Sequence, residues 1–150
     1  MSDQKQLPQN ILRLEDKHDR DRLDSAFAEL ERVGIVAAQD YACCQSCGTK
    51  GMEEVMEELV RAGEMVRGYT FYHAQDTESA SHLNGVYLAY GALAEDDDAT
   101  RDIGLEIAAT LQRLGLTVKW DGTINTRIFV NVKWERPKKR TRKKQKGGAM

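Results

Sequence analysis

The fold of this protein is decided by the stretch IVAAQDYACCQSCGTKGMEEVMEELVRAGEMVRGYTFYHA, residues 35–74. Within it, the apolar side chains of residues 52–60 recur at the i, i+3, i+4 and i+7 spacing of an amphipathic helix, and Gly63 follows as a stop signal. Residues 35–44 lack that spacing and have the length of a strand, and residues 69–74 are rich in aromatic side chains. The stretch therefore predicts a strand, a helix and a second strand.

The same reasoning extends to both sides of this stretch. Leu23, Phe27 and Leu30 have helical spacing, which predicts a helix over residues 20–33. The elements predicted on the C-terminal side are a polar connection (75–84), a strand (85–91), a helix that follows Asp96–Asp98 and ends at Gly115, and two strands (116–120 and 127–134) linked by a hairpin at Asp121-Gly122.

Without the first helix and the last strand, the predicted order is β-α-β-β-α-β, which is the order of the ferredoxin-like split motif. We therefore expect an α+β domain of this type, with an added N-terminal helix and with the last strand extending one edge of the sheet. Right-handed crossovers place both helices on one face and leave the other face for a ligand or partner. The expected boundaries are a flexible N-terminal segment (1–19), a single domain (20–135) and a disordered basic tail (136–150).

Composition excludes several classes of protein. With 41% hydrophobic and 31% charged residues, the chain is globular rather than disordered. Its longest apolar block, residues 85–94, is far shorter than the roughly 20 residues of a membrane helix. The N-terminus lacks the apolar core of a secretory signal, and three clustered cysteines do not make a disulfide framework. We expect a cytoplasmic protein with reduced thiols, or a nuclear one if the host is eukaryotic.

Basic residues are concentrated at the C-terminus. Eight of the 22 lysines and arginines lie within residues 136–146, so that 14 basic and 24 acidic residues remain elsewhere. Such an arm can contact nucleic-acid phosphates, act as a nuclear import signal or only aid solubility, although the acidic remainder would repel a duplex. The side chains that would contact nucleic acid are Lys138, Lys139, Arg140, Arg142, Lys143 and Lys144.

The cluster Cys43-Cys44-x-x-Cys47 is the sharpest chemical signal. Its CxxC spacing brings two thiolates to one metal ion, and Cys43 or His73 is available to fill a zinc tetrahedron. We therefore consider Cys44, Cys47 and His73 as metal ligands, with zinc as the cofactor. The alternatives are a reactive redox thiol and ordinary, partly buried thiols. Because successive strand residues point to opposite faces, Cys43 and Cys44 share a site only if the strand ends before them.

A second signal is the segment Tyr72-His73-Ala74-Gln75-Asp76, which places a carboxylate three positions after an imidazole. This pairing suits general base catalysis, whereas the commoner structural alternative is that Asp76 caps a helix. The catalytic candidates are Cys44, Cys47, His73 and Asp76.

Residues 120–127 form a third polar segment. Arg127 can bind a phosphate or carboxylate, although the neighbouring Asp, Gly and Asn are also what a hairpin loop selects. The ligand-binding candidates are Tyr72, Gln75, Asp121, Asn125 and Arg127.

The split motif also predicts which of these segments meet. The first two strands run parallel, so their C-terminal ends share one edge of the sheet. That edge would bring the cysteines together with His73, Gln75 and Asp76. The other two strands run the opposite way, and Trp120 and Asp121 are therefore expected at the far end.

Four segments, residues 34–48, 69–76, 86–91 and 116–128, carry the patterns CCxxCG, YHxQD, YLAYG and KWDGxxNTRI. Together they resemble a bacterial family of domains of unknown function. The resemblance covers roughly residues 34–134 and does not include the basic tail. It implies no activity, and no catalytic or binding role is transferred from it.

Three functions fit these observations. Polar motifs without a complete catalytic set favour a small binding or regulatory module for a small molecule or a protein. The alternatives are a zinc- or thiol-dependent enzyme that uses the cysteine cluster with His73, and a nucleic-acid accessory protein that acts through its tail. The hypothesis of a catalytic function is less favoured than that of a binding module.

Overall fold

The computed structural model of this protein describes residues 18–135. In chain order the elements of this part are α1 (Asp19–Arg32), β1 (Ile35–Ala38), α2 (Gln45–Arg61), β2 (Gly68–Phe71), α3 (Ala74–Leu83), β3 (Gly85–Ala92), α4 (Asp97–Arg113), β4 (Val118–Lys119) and β5 (Ile128–Asn131). The predicted α+β class is confirmed. Most of the expected N-terminal segment and the whole basic tail, with its nucleic-acid candidates, lie outside the described residues. None of the described helices is long and apolar enough to cross a membrane.

One five-stranded sheet organises this part of the chain, in the order β1-β2-β3-β5-β4. β1 and β2 are parallel, and the other neighbouring strands are antiparallel. The long strand β3 pairs with β2 through its C-terminal half and with β5 through its N-terminal half. Phe71 pairs with Ala89, and Ile128 pairs with Leu88. The end of β2 and the start of β5 therefore lie on either side of the same point of β3.

Described helices cover both faces of the sheet. α1, α3 and α4 pack on one face, where Leu30, Ile107 and Val130 are fully buried. α2 packs on the other face, where Met52 and Phe71 belong to a smaller core. The expectation that both helices of the motif share a face is therefore wrong. All four residues of β2 are buried, and a strand buried on both sides needs cover on both faces.

The strand order also differs from the predicted ferredoxin-like split motif. In that motif another strand separates the two parallel strands, whereas here β1 and β2 are direct neighbours. The expected C-terminal edge strand is wrong as well, because β5 lies inside the sheet and β1 and β4 form its edges. Ile128 and Val130 of β5 are completely buried, as in an interior strand, while β4 has only two residues, which is a common form of edge strand.

The segment predicted as a polar connection, residues 75–84, forms helix α3. Its sequence carries almost no helical pattern, because only Asp76 and Ala80 of this helix are buried. The helix ends at Asn84, whose φ of 54° is left-handed, a conformation that asparagine tolerates better than most residues. A helix with so narrow a buried face gives no apolar periodicity to detect.

The predicted helix over residues 20–33 is confirmed as α1, whereas the first predicted strand is shorter than expected. β1 ends at Ala38 and not at residue 44. Asp40 and Ala42 have φ values of 51° and 69°, and left-handed backbone of this kind cannot continue a strand. Residues 39–44 form instead a loop that delivers the cysteines to the start of α2.

Candidate functional site

The loop of residues 39–44 is tied to the end of β2 by backbone hydrogen bonds. The N–H of Tyr41 donates to the carbonyl of Tyr72 at 2.9 Å, and the N–H of Ala74 donates to the carbonyl of Ala42 at 3.0 Å. A left-handed alanine costs about 1–2 kcal/mol, and these bonds offset that cost. The loop is therefore held in a shape that its residues alone do not favour.

Two side-chain contacts complete the attachment of this loop. The Tyr72 hydroxyl donates to Oε1 of Gln39 at 2.7 Å, and the Thr77 hydroxyl donates to Oδ1 of Asp40 at 2.9 Å. Tyr72 is 2% exposed, and burial is the main cause that raises its pKa to about 12. This ligand-binding candidate thus lies in the core, where it positions the loop.

The three cysteines converge at the N-terminus of α2. Cys44 is the N-cap residue, and Cys47 lies in the first turn. The three sulfur atoms lie within 4.8 Å of one another, and those of Cys43 and Cys44 are 3.9 Å apart. Because the strand ends at Ala38, the alternation that would have separated Cys43 from Cys44 no longer applies. These three thiols could hold a metal ion.

The thiols of this cluster are electrostatically unequal. No hydrogen bond of ordinary length caps the helix through the Cys44 side chain, yet the nearby Cys47 amide is the main cause that lowers the pKa of Cys44 to about 6. The Ser46 hydroxyl, 3.5 Å from the Cys44 sulfur, acts in the same direction. Hydrogen bonds with the sulfurs of Cys43 and Cys44 raise the pKa of Cys47 to about 11. Cys44 is therefore the thiolate of the cluster at neutral pH.

A buried ionic group lies at the start of α3. Asp76 accepts hydrogen bonds from the backbone N–H of His73 at 3.1 Å and from Nη1 of Arg127 at 2.9 Å. Nε2 of His73 lies 3.3 Å from the same carboxylate, and Nδ1 is buried without a hydrogen-bond partner among the described residues. The bond to its own helix N-terminus gives Asp76 the capping role that was the structural alternative.

Arg127 also borders a surface cavity of about 440 Å³. Its guanidinium lies 5.1 Å from the centre of the Tyr87 ring. The cavity extends between the first residue of α2, strand β3 and the turn before β5. The residues that matter for its chemistry are Gln45, Tyr87, Tyr90, Asn125, Thr126 and Arg127.

Asp121 takes part in none of these contacts, because its carboxylate organises the hairpin loop. It accepts hydrogen bonds from the N–H and hydroxyl of Thr123 at 3.0 and 2.8 Å, and from the hydroxyl of Thr126 at 2.9 Å. These bonds, with the Thr123 amide first, lower the pKa of Asp121. Tyr90 fixes the same loop by donating to the carbonyls of Thr123 and Thr126. Turn chemistry thus explains Asp121.

The structure brings together some of the predicted site residues and not others. The carbonyl of Ala42 meets the N–H of Ala74, so the cysteine loop does reach the start of α3. Trp120 and Asp121 were expected at the far end of the sheet, whereas Arg127, at the end of the same hairpin, contacts Asp76 at the start of α3. β5 is inserted beside β3, which puts Arg127 level with the end of β2. Gln75 is exposed in the first turn of α3.

The ligand set proposed from sequence also changes. Cys43, rather than His73, joins Cys44 and Cys47 in the described group of potential ligand atoms. Sequence reasoning missed Gln45 and Tyr87 as cavity residues. Tyr87 is 40% exposed, and an aromatic residue on the outer side of an alternating strand is a signal that could have identified it.

Comparison with known protein families gives a match over most of the chain. The model of the family described as Domain of unknown function (DUF6891) matches residues 8–138. This agrees with the resemblance inferred from the four segments and assigns no role to any residue. No curated protein and no solved structure matches the chain.

Proposed function

The chain belongs to the DUF6891 family, and we propose that this protein is a small regulatory binding module built around a zinc ion held by Cys43, Cys44 and Cys47. The observation that carries the proposal is the convergence of three sulfur atoms within 4.8 Å of one another. Thiolates are soft ligands, and soft ligands select zinc or copper(I) over magnesium or calcium.

The distances support a tetrahedral ion. A Zn–S bond of about 2.3 Å places the sulfurs of a tetrahedral site about 3.8 Å apart. The sulfurs of Cys43 and Cys44 are 3.9 Å apart. The Cys47 sulfur lies within 4.8 Å of both, so that a tetrahedral ion requires it to approach them by at most about 1 Å.

The charges support the same proposal. Cys44 has a pKa of about 6, so it offers a thiolate at neutral pH. The pKa of Cys47 is raised to about 11 by the neighbouring sulfurs, and a cation placed between them would reverse that effect, since metal ions deprotonate the thiols they bind. The positive end of the α2 dipole further favours thiolates at this position.

The fourth position of the ion is the regulatory element of the proposal. Among the described residues, no His, Asp, Glu or further Cys joins the group of three sulfurs. Sites with three protein ligands and an open position bind water or an external ligand there. A small molecule or a group of a partner protein can thus complete the coordination.

Binding of Co²⁺ to the full-length, reduced protein tests this proposal. Co²⁺ substitutes for zinc and shows thiolate charge-transfer absorption and intense visible bands in a tetrahedral sulfur site. We expect one Co²⁺ per chain, displaced by zinc. Cys43→Ser, Cys44→Ser and Cys47→Ser should each lower the affinity by more than the roughly 10- to 100-fold typical for loss of an outer-shell partner.

Two variants serve as controls for the ligand set. His82→Gln, a change of an exposed histidine on α3, should leave binding unchanged. His73→Gln should also leave it unchanged, because His73 is engaged with Asp76. Absence of the charge-transfer band, or Cys43→Ser binding as tightly as the unaltered protein, would refute the zinc proposal.

Thiol–disulfide exchange is the second candidate, favoured by the different pKa values of Cys44 and Cys47. The Cys44 thiolate would attack a small disulfide such as oxidised glutathione and release one thiol. Cys47 would then displace the second thiol and close a Cys44–Cys47 disulfide, so that two electrons pass to the reagent. A measured redox equilibrium with glutathione distinguishes this function from metal binding.

A further inference from the structure

We infer that the cavity beside Arg127 is a second binding site, independent of the cysteines, for a small molecule that carries a carboxylate or phosphate on a flat ring. Its volume of about 440 Å³ falls within the range of small-molecule sites. Arg127 would pair with the anionic group, and Tyr87 would contact the ring.

Arg127 is held in place, but only part of its hydrogen-bonding capacity is used. Nη1 donates to Oδ2 of Asp76 at 2.9 Å and to the carbonyl of Tyr87 at 3.3 Å. Among the described residues, Nη2 and Nε of Arg127 make no hydrogen bond. The side chain is 26% exposed. An arginine fixed through one nitrogen keeps donors in the geometry that matches a carboxylate or phosphate.

The anchor of Arg127 is itself rigid. The Asp76 side chain is only 7% exposed and is fixed by the backbone N–H of His73. A side chain that is already ordered loses little conformational entropy when a ligand binds. The ion pair therefore preorganises the guanidinium.

The charge of the lining residues distinguishes this cavity from three other cavities in the described part of the chain. Three further surface cavities, of about 410, 330 and 310 Å³, are each lined by two or more glutamates. None of the described residues that line the Arg127 cavity is acidic. In a chain whose acidic residues outnumber its basic ones, an anion meets fewer carboxylates in the lining of this cavity than in the lining of those three.

The aromatic side of the cavity gives the second half of the specificity. Tyr87 is 40% exposed and packs against Phe129 with ring centres 4.8 Å apart. Neither residue belongs to the two described cores. Aromatic pairs prefer centre distances of about 4.5–7 Å, so a ligand ring can pack on Tyr87. Gln45 and Asn125 supply exposed amide groups at the rim.

Matched probes test the inference on the full-length protein in the presence of a chelator, so that the outcome does not depend on a metal. Benzoate and phenyl phosphate carry both the ring and the charge, benzamide has the ring without the charge, and acetate and inorganic phosphate have the charge without the ring. Binding is measured by calorimetry and mapped by amide NMR shifts. We expect benzoate or phenyl phosphate to bind at least about tenfold more tightly than benzamide, as loss of a charged hydrogen bond predicts.

Variants locate the site. Arg127→Gln should weaken benzoate binding about tenfold, whereas Arg101→Gln, a change of an exposed arginine on α4, should not. Because Arg127→Gln also removes the partner of Asp76, Tyr87→Leu is a second test that leaves this ion pair intact, and it should weaken benzoate more than acetate. Equal affinity for benzoate and benzamide, amide shifts remote from Gln45 and Asn125, or unchanged binding in Tyr87→Leu would overturn the inference.

Discussion

At the scale of single residues, Cys44 owes its chemistry to backbone geometry rather than to a neighbouring charged side chain. The left-handed conformation of Ala42 turns the chain so that Cys44 becomes the N-cap of α2. There the amide of Cys47 stabilises its thiolate. The cluster needs no lysine or histidine to lower the pKa, because the helix start supplies the partial positive charge.

This geometry predicts a distinct pH profile for alkylation of Cys44. Only the thiolate reacts, so its rate with iodoacetamide should rise through about pH 6 and level off above it, whereas an ordinary thiol titrates near 8.5. Mass spectrometry of peptides from protein free of metal measures the rate at each site.

Ser46→Ala should move the midpoint upward, since the Ser46 hydroxyl lowers the pKa of Cys44. Cys47→Ser keeps the backbone amide of residue 47, which is the main cause that lowers the pKa of Cys44. This variant should therefore raise the midpoint by less than unfolding of the protein does, because unfolding also removes the amide. A midpoint near 8.5 in the unaltered protein would contradict the assignment.

At the scale of elements, apolar periodicity predicts a helix from the sequence only if the helix buries a wide apolar face. α2 buries Met52 and Met56 at helical spacing, and its prediction is confirmed. α3 buries Asp76 and Ala80, so the same criterion could not detect it. The contact between Arg127 and Asp76 could not be predicted from the sequence either, because it depends on β5 pairing with β3. Pairing between strands that are distant in the chain leaves no local sequence pattern. Cys43, Cys44 and Cys47 were found because they are close in sequence.

The glycine of the CCxxCG pattern has a packing role that leads to the next prediction. A methyl group on Gly48 would overlap the Phe71 ring, whereas one on Gly51 would meet mainly the movable hydroxyl end of Tyr41. Alanine is otherwise the better helix former by up to about 1 kcal/mol. We expect Gly48→Ala to lower the free energy of unfolding by about 1–3 kcal/mol, as overpacking does. Gly51→Ala, one turn later, should be close to neutral.

Urea denaturation of both glycine variants provides the measurement. If Gly48→Ala were as stable as Gly51→Ala, α2 would not pack on Phe71 as closely as described. The pair also tests the site, because displacement of α2 by Gly48→Ala should weaken Co²⁺ binding while all three cysteines remain.

At the scale of the whole molecule, the buried core is larger on one face of the sheet than on the other. Among residues 18–135, the core under α1, α3 and α4 contains 16 buried residues, whereas the core under α2 contains six. Local opening requires the least free energy where few apolar contacts are lost. α2 should therefore open before the rest of the fold, and the cysteine cluster lies at its N-terminus.

The difference in size between the two cores predicts in which helix zinc slows amide hydrogen exchange. Amides of α2 should exchange faster than those of α4 in the protein without metal. A ligand that binds only the closed state slows exchange by about the ratio of its free concentration to its Kd, which is about 100-fold at 100 times Kd. We expect zinc to slow exchange in α2 by about this factor until global unfolding limits it, to change α4 little, and to have no effect in Cys43→Ser. Equal slowing in α2 and α4 would mean that the domain opens as one unit, and faster exchange in α4 would reverse the ranking of the two cores.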